Sequence, residues 1–283
     1  AIKDIENPTQ EINDAISKHR PDILFCSFSR INSEVIKKGK NLGLVVVVRQ
    51  DYKLADLSSA IKIKLIETYP KADWIIVQTV EMKEVMLATI AGLQSKNIKV
   101  IENPLDVMEI EKKAQAPTPF PNNGKFHYLW VGRKDPIKDL ASLKKAFVMV
   151  NQKYPSTDLT LVSGDSNPYR WMKYTDCLCI SSISEASPNV LREALFLGTK
   201  VVSTDCSPTI AKLLSKENIV PVGDYERMAK AMVSCLLNTY NNLIASSLII
   251  SFVPKNILIL FVIFSRIKSF NKIGFNIKSF SCK

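Results

Sequence analysis

CLCISSISEASPNVLREALFLGTKVVST, residues 177–204, reads as one complete strand–helix–strand unit. CLCIS (177–181) is a short apolar run of strand length. PNVLREALFLG (188–198) carries apolar residues at helical spacing and closes on Gly198, while Ser187 can cap that helix and Pro188 suits its first position. KVVST (200–204) then returns to β-branched residues. Two strands joined through a helix pair in parallel, so the stretch predicts an α/β fold with a doubly wound parallel sheet.

The same alternation continues on both sides. Upstream, FHYLWVG (126–132) and TDLTLVSG (157–164) are strands, separated by the helical IKDLASLKKAFVMVNQKY, and NPYRWMKYTD is a short helix. Downstream come a helix over SPTIAKLLSKE, a strand at NIVPVG and a helix over YERMAKAMVSCLLNTY. Further upstream lies a second set of strands: PDILFCS (21–27), LVVVVRQ (44–50), DWIIVQT (73–79) and IKVIENP (98–104). Helices are expected over NSEVIKKGKNLG, from about 55 to 70, and over EMKEVMLATIAG. The unbroken apolar run of LVVVVRQ predicts a strand covered on both faces. AQAPTPFPNNGK (114–125), with three prolines, two asparagines and a glycine, continues neither element type and reads as a linker. The expected organisation is a first α/β domain over 1–113, the linker 114–125, a second α/β domain over 126–240 and an atypical tail over 241–283.

Composition narrows the functional classes. A hydrophobic content of 46% with 23% charged residues supports folded cores and excludes a mostly disordered polar chain. The six cysteines contain no CxxC pair and there are two histidines, which argues against a metal site and fits a reduced, cytoplasmic compartment. The opening residues, AIKDIENPTQEINDAISKHR, predict no secretory leader. Of the net charge of +11, the tail supplies +6 from Lys255, Arg266, Lys268, Lys272, Lys278 and Lys283. The body is only mildly basic, which argues against nucleic-acid binding. In the tail, LIASSLIISFVPKNILILFVIF (243–264) has the apolarity of a membrane span, but Pro254, Lys255 and Asn256 interrupt it. Three readings of it stand: a segment in peripheral contact with a membrane, an unstructured tail, or out-of-frame translation of AT-rich DNA.

Two stretches carry candidate chemistry. In SSISEASPNVLREALFLGTKVVSTD (181–205), the helix amides at Asn189 and Val190 are placed to meet a phosphate at the positive helix end. Glu185 lies in the loop before that helix and Glu193 inside it, so both can accept hydrogen bonds from sugar or ribose hydroxyls. Taken alone, the pattern equally fits an ordinary capped helix with two surface glutamates. In VGRKDPIKDLASLKKAF (131–147), Arg133, Lys134 and Lys138 follow a strand end, where cations neutralise a diphosphate. Taken alone, this too fits a solvated basic turn.

Joined in this order, the two stretches resemble the family-four glycosyltransferases, which have the GT-B fold of two Rossmann-like domains facing a cleft. The resemblance runs from about residue 18 to 238, through KADWIIVQTVEMKEVM, IKVIENPLDVMEI, WVGRKDPIKD and VPVGDYERMAKAM besides the stretches quoted above. It implies transfer of a sugar, with retention, from a UDP- or GDP-sugar to a hydroxyl of a polysaccharide, glycolipid or lipid-linked acceptor. By the same resemblance, Arg133 and Lys138 clamp the diphosphate and Glu185 contacts the donor sugar as the catalytic glutamate. Glu193 binds the ribose, and the amides of Asn189 and Val190 approach the phosphate and sugar. No metal or other cofactor is implied, and a cytoplasmic site of action at the inner membrane face is.

Several departures from the family pattern are expected to matter. Ala186 replaces a glycine, and Arg49-Gln50-Asp51 stands where a histidine is common. The first domain lacks about three strand–helix units of the family. Ser166 alone joins Gly164-Asp165 to Asn167-Pro168, where the family has a helix, a strand and the loop that touches the base. The tail does not resemble the family's last helix. The alternatives are a catalytically inactive truncated chain, acting as a binding subunit or not at all, and another GT-B enzyme such as a nucleotide-sugar epimerase, against which PNVLREA argues.

Overall fold

The computed structural model describes residues 8–251, with their side chains over 10–241. All nine expected strands form, and they assemble into two parallel sheets. The first comprises β1 (Ile23–Cys26), β2 (Val45–Arg49), β3 (Trp74–Val77) and β4 (Ile98–Val100), in the order β1-β2-β3-β4. Its register sets Ile23 against Val45, Val47 against Trp74 and Ile75 against Ile98. Helices α1 (Pro8–His19), α2 (Ser29–Asn41), α3 (Ser59–Thr68) and α4 (Val80–Thr89) accompany these strands.

Burial along β1, β2 and β3 alternates with the period of two of a pleated strand. Cys26, Val46, Val48, Ile75 and Val77 face one core with Ile36, Leu65 and Met86. Gly39 brings α2 onto that face, for a Cβ there would stand 2.4 Å from Val46 Cγ2. On the other face Ile23 and Phe25 are 57% and 62% exposed, and Val45 and Trp74 are exposed too. Cover on both faces, expected for LVVVVRQ, is therefore complete on one face only among the described residues, Val47 and Arg49 being partly buried on the other. A run of valines suits one-sided and two-sided burial alike, because every residue is apolar in either case.

The second sheet comprises β5 (Phe126–Val131), β6 (Thr157–Val162), β7 (Cys177–Ile180), β8 (Val201–Thr204) and β9 (Ile219–Val220). Its order is β6-β5-β7-β8-β9. It is accompanied by α5 (Val107–Ala114), α6 (Leu140–Lys153), α7 (Tyr169–Tyr174), α8 (Asn189–Phe196) and α10 (Tyr225–Ser251), whereas α9 (Pro208–Leu213) belongs to the first unit but for its last residue. β7 and β8 are buried at every position, and Tyr128, Trp130, Leu143, Val150, Cys179, Val202 and Met232 form one core. The Tyr128 hydroxyl donates to the Met232 carbonyl at 2.8 Å, which satisfies a buried polar group and ties β5 to α10.

Three boundaries differ from expectation. The compact units divide between Pro104 and Leu105, with 184–189 and 207–212 counted in the first unit, rather than across 114–125. The cause is α5, which joins the second unit: Asn167 Nδ2 donates to the Lys113 carbonyl at 2.9 Å and Lys113 Nζ reaches the Ser166 carbonyl at 3.4 Å. α8 starts at Asn189, one residue beyond the expected Pro188. α10 continues to Ser251, past the expected end at 240, because no glycine or proline occurs before Pro254. The rest of the tail lies outside the described residues. Among the described residues no helix is long and apolar enough to cross a membrane.

Candidate functional site

Chain order in the second sheet locates a crevice. The chain leaves β5 for β6 on one side and then returns to β7 on the other side of β5. The connections diverge there, and ligands of open parallel sheets bind outside the carboxyl ends of the strands at such a point. Two segments leave it: Gly132-Arg133-Lys134 after β5 and Ser181-Ser182-Ile183 after β7.

The first segment is shaped by its aspartates. Asp135 accepts from Ile137 N at 3.1 Å, closing a 3-10 turn over Pro136–Lys138. Asp139 takes a left-handed conformation (φ 42°) and caps α6 by accepting from Ser142 N at 3.1 Å. Lys138 is thus held between a turn and a helix start. The second segment bonds to that turn: Ser181 Oγ donates to the Lys138 carbonyl and Ile183 N to the Ile137 carbonyl, each at 2.7 Å. Thr204 Oγ1, at the end of β8, donates to the Ser182 carbonyl at 2.6 Å. Ser181 and Ser182 are buried. The basic turn and the strand end that leads to the glutamates, some forty residues apart in sequence, are therefore one hydrogen-bonded structure.

The expected site residues are distributed as follows. Arg133, exposed, and Lys138, half-buried, stand in the turn beside this junction. Val190 and Glu193 lie on α8, whose Leu191 and Ala194 are buried. Glu193 is half-buried, and burial pushes its carboxyl above the ordinary glutamate value, so it is not the surface glutamate of the bland alternative. Tyr169, the first residue of α7, lies within its field: burial first, and then the Glu193 charge, push the phenol up.

Glu185 and Asn189 belong to the loop 184–189, which is counted with the first unit. Ser184 Oγ donates to Asp56 at 2.9 Å, and Ser207 Oγ donates to the Ala186 carbonyl at 3.0 Å. Ala186 packs on the first core, and it is not among the residues with positive φ. An alanine there is therefore accommodated without backbone strain. Sequence reasoning passed over Asn103, in the irregular segment after β4, whose amide Nδ2 donates to Asn189 Oδ1 at 2.6 Å. No local pattern marks such a pair, 86 residues apart.

The short connection after β6 is a built turn. Gly164 supplies φ +75°, and Asp165 accepts from Asn167 N at 2.8 Å and Trp171 Nε1 at 2.7 Å. The Asn167 amide, the Trp171 indole and the Arg170 charge outweigh desolvation and hold Asp165 below the ordinary aspartate value. β6 is the edge strand, so a further strand beyond it is dispensable to the sheet.

Residues 86–238 match the family model described as glycosyl transferases group 1. The uncharacterized glycosyltransferase MJ1059 of Methanocaldococcus jannaschii is 26% identical, over 78% of this chain. The chain spans about two thirds of that relative, 65% of its length. Among solved structures, Anabaena Alr3699/HepE in complex with UDP and glucose superimposes with a TM-score of 0.68 at 14% identity. That match covers 84% of this chain and 76% of HepE. The trehalose-6-phosphate synthase OtsA gives a TM-score of 0.64 at 15% identity, covering 81% and 68%. At these identities the likeness shows the fold, which is the two-sheet GT-B architecture. With more than half its length matched by the family model, the chain belongs to the group 1 glycosyl transferases.

Proposed function

We propose that this chain transfers a sugar from a nucleotide-diphosphate sugar, a UDP- or GDP-sugar, to a hydroxyl of a glycan or lipid-linked acceptor. The observation that supports this most is the junction at the carboxyl ends of β5 and β7, where the Lys138 turn and the Ser181–Ile183 strand end share two hydrogen bonds of 2.7 Å. In the reaction the bond from the sugar's anomeric carbon to the diphosphate oxygen breaks and a bond to the acceptor oxygen forms. The acceptor's proton leaves with the nucleoside diphosphate. We assign retention of configuration, as the resemblance to family four implies.

Arg133 and Lys138 neutralise the diphosphate as its charge develops, aided by the amides of Asn189 and Val190 at the start of α8. Glu185 accepts from the donor sugar and Glu193 from the ribose. With cations and a helix end in this role, the reaction as proposed needs no metal. The place of action is the cytoplasmic membrane face, in peripheral contact.

Calorimetry with UDP, GDP and ADP on the full chain tests the reading. Binding is expected to be led by the diphosphate, with the three bases within a few-fold of one another, because Asp165-Ser166-Asn167 replaces the base-contacting loop. Lys138→Ala is expected to remove on the order of 1–3 kcal/mol of that binding. Absence of binding to all three nucleotides favours the inactive-remnant alternative, and tight binding of one base alone refutes the diphosphate-led reading.

A further inference from the structure

Asn103 lies three residues beyond β4, and both ends of its side-chain amide are engaged. Its Oδ1 accepts from Arg49 Nη2, at the end of β2. Its Nδ2 donates to Asn189 Oδ1 at 2.6 Å and lies 3.5 Å from both the Ser187 carbonyl and Gln78 Oε1. Behind Arg49 stands a buried polar network. Asn32 Nδ2 donates to the Arg49 carbonyl at 2.9 Å and to the Tyr69 hydroxyl at 3.0 Å, and that hydroxyl donates to Gln50 Oε1. Gln50 Nε2 in turn donates to the Tyr52 carbonyl at 2.7 Å. Asn32, Gln50 and Tyr69 are fully buried.

This arrangement has a direction. The hydrogen bonds among Asn32, Tyr69 and Gln50 are buried and hold the end of β2, and the bonds that Asn103 makes from there reach Ser187 and Asn189, which flank the start of α8 at the surface. A cation bonded to the oxygen of an amide polarises that amide, so Arg49 strengthens the Asn103 donor that grips Asn189. A helix start used for phosphate recognition needs its amides held at one orientation, since a misplacement of about 1 Å costs much of the interaction.

We propose that Asn103 is a positioning residue for the donor diphosphate. It fixes the loop from Ser187 to Asn189, and Arg49 acts through it in place of the histidine common at that strand end. The proposal rests on the donor-binding reading given above.

The test is a double-mutant cycle on the full chain with UDP as probe: wild type, Asn103→Ala, Asn189→Ala and the double variant. Asn103→Ala is expected to weaken UDP binding about tenfold, the order of one hydrogen bond to an ordered group. The double variant is expected to bind no more weakly than Asn103→Ala alone, since both act through one bond. At saturation, the ³¹P resonance of the bound β-phosphate is expected to move back toward its free position in Asn103→Ala, with the α-phosphate little changed. A merely structural role would not separate the two phosphates. Asn103→Asp keeps the Arg49 contact and guards against misfolding of the alanine variant, and its carboxylate is expected to weaken UDP binding at least as much. Losses that multiply in the double variant, or binding by Asn103→Asp within twofold of wild type, overturn the proposal. If the wild type itself binds no UDP, the donor-binding reading falls and takes the proposal with it. If the wild type binds and the variants match it, only the positioning role falls.

Discussion

The two sheets are built from the same strand–helix repeat, yet they differ in strand order and in burial. The first runs β1-β2-β3-β4, each strand added on the same side of its predecessor, so among the described residues no pair of connections diverges. The second runs β6-β5-β7-β8-β9 and diverges beside β5. Only the second therefore opens a crevice by its own topology, and the basic turn and the loop toward the glutamates leave from it. Burial differs in the same sense. β7 and β8 are buried throughout, whereas β1 to β3 alternate and leave Phe25 and Trp74 exposed. Sequences that read alike can thus differ in which ends and faces are left to bind something.

The largest effect separating the two sheets should come from core truncation. Leu143→Ala in the second core is expected to cost about 2–5 kcal/mol in denaturant unfolding, because Leu143 is fully buried. Phe25→Ala on the first sheet should stay within about 0.5 kcal/mol, because most of that ring already faces solvent. An equal cost at both positions would mean that the exposed face of the first sheet is covered in solution, and would remove the difference in burial.

A smaller effect tests topology. Thr79 caps α4 by accepting from Met82 N at 3.2 Å, as Asp139 caps α6. Replacing either with Ala is expected to cost about 1 kcal/mol of stability. Only Asp139→Ala should also weaken UDP binding, because it releases the turn that carries Lys138. Unchanged UDP binding in Asp139→Ala would contradict the assignment of Lys138 to the diphosphate site.

The smallest effect is one of pH, and it has opposite signs in the two units. Asp73 loses some solvation on folding, but hydrogen bonds from Val46 N and Lys40 outweigh that and lower its value below the ordinary 3.8. Its stabilising contribution is present above that ordinary value and is lost as pH falls through the lowered one. Glu193 is raised by burial above 4.5, so its contribution is complete below that value and is lost as pH rises through the raised one. Near neutral pH, Asp73→Asn should lower the melting temperature and Glu193→Gln should raise it, each by less than about 4 °C. Melting curves recorded from acid to neutral pH should show the Glu193→Gln gain vanish below the ordinary glutamate value. A gain that persists in acid would mean that the buried carboxylate is not its cause.

Much of this molecule was legible in one dimension. All nine strands were visible because apolar runs of strand length between turn residues recur whatever the tertiary arrangement. The candidate residues Arg133, Lys138, Glu185, Asn189, Val190 and Glu193 were singled out because their two stretches together resemble a family, while either stretch alone also fits an ordinary turn or capped helix. Helix α5 carried a local mark of its start and was passed over: Asp106 accepts from Glu109 N at 3.0 Å, an acidic cap three residues before another acid. What the tertiary structure alone decided is of another kind. The order of the strands, the fuller cover of β2 on one face, the membership of α5 in the second unit, the bond from Ser181 to Lys138 and that from Asn103 to Asn189 all join residues far apart in the chain. Local propensity and period are properties of neighbouring residues, and they carry no record of which distant group satisfies a buried amide or carbonyl. The sequence alone determined the repeat and the residues at its ends. The partners of those residues were decided by the need of each buried polar group for a bond.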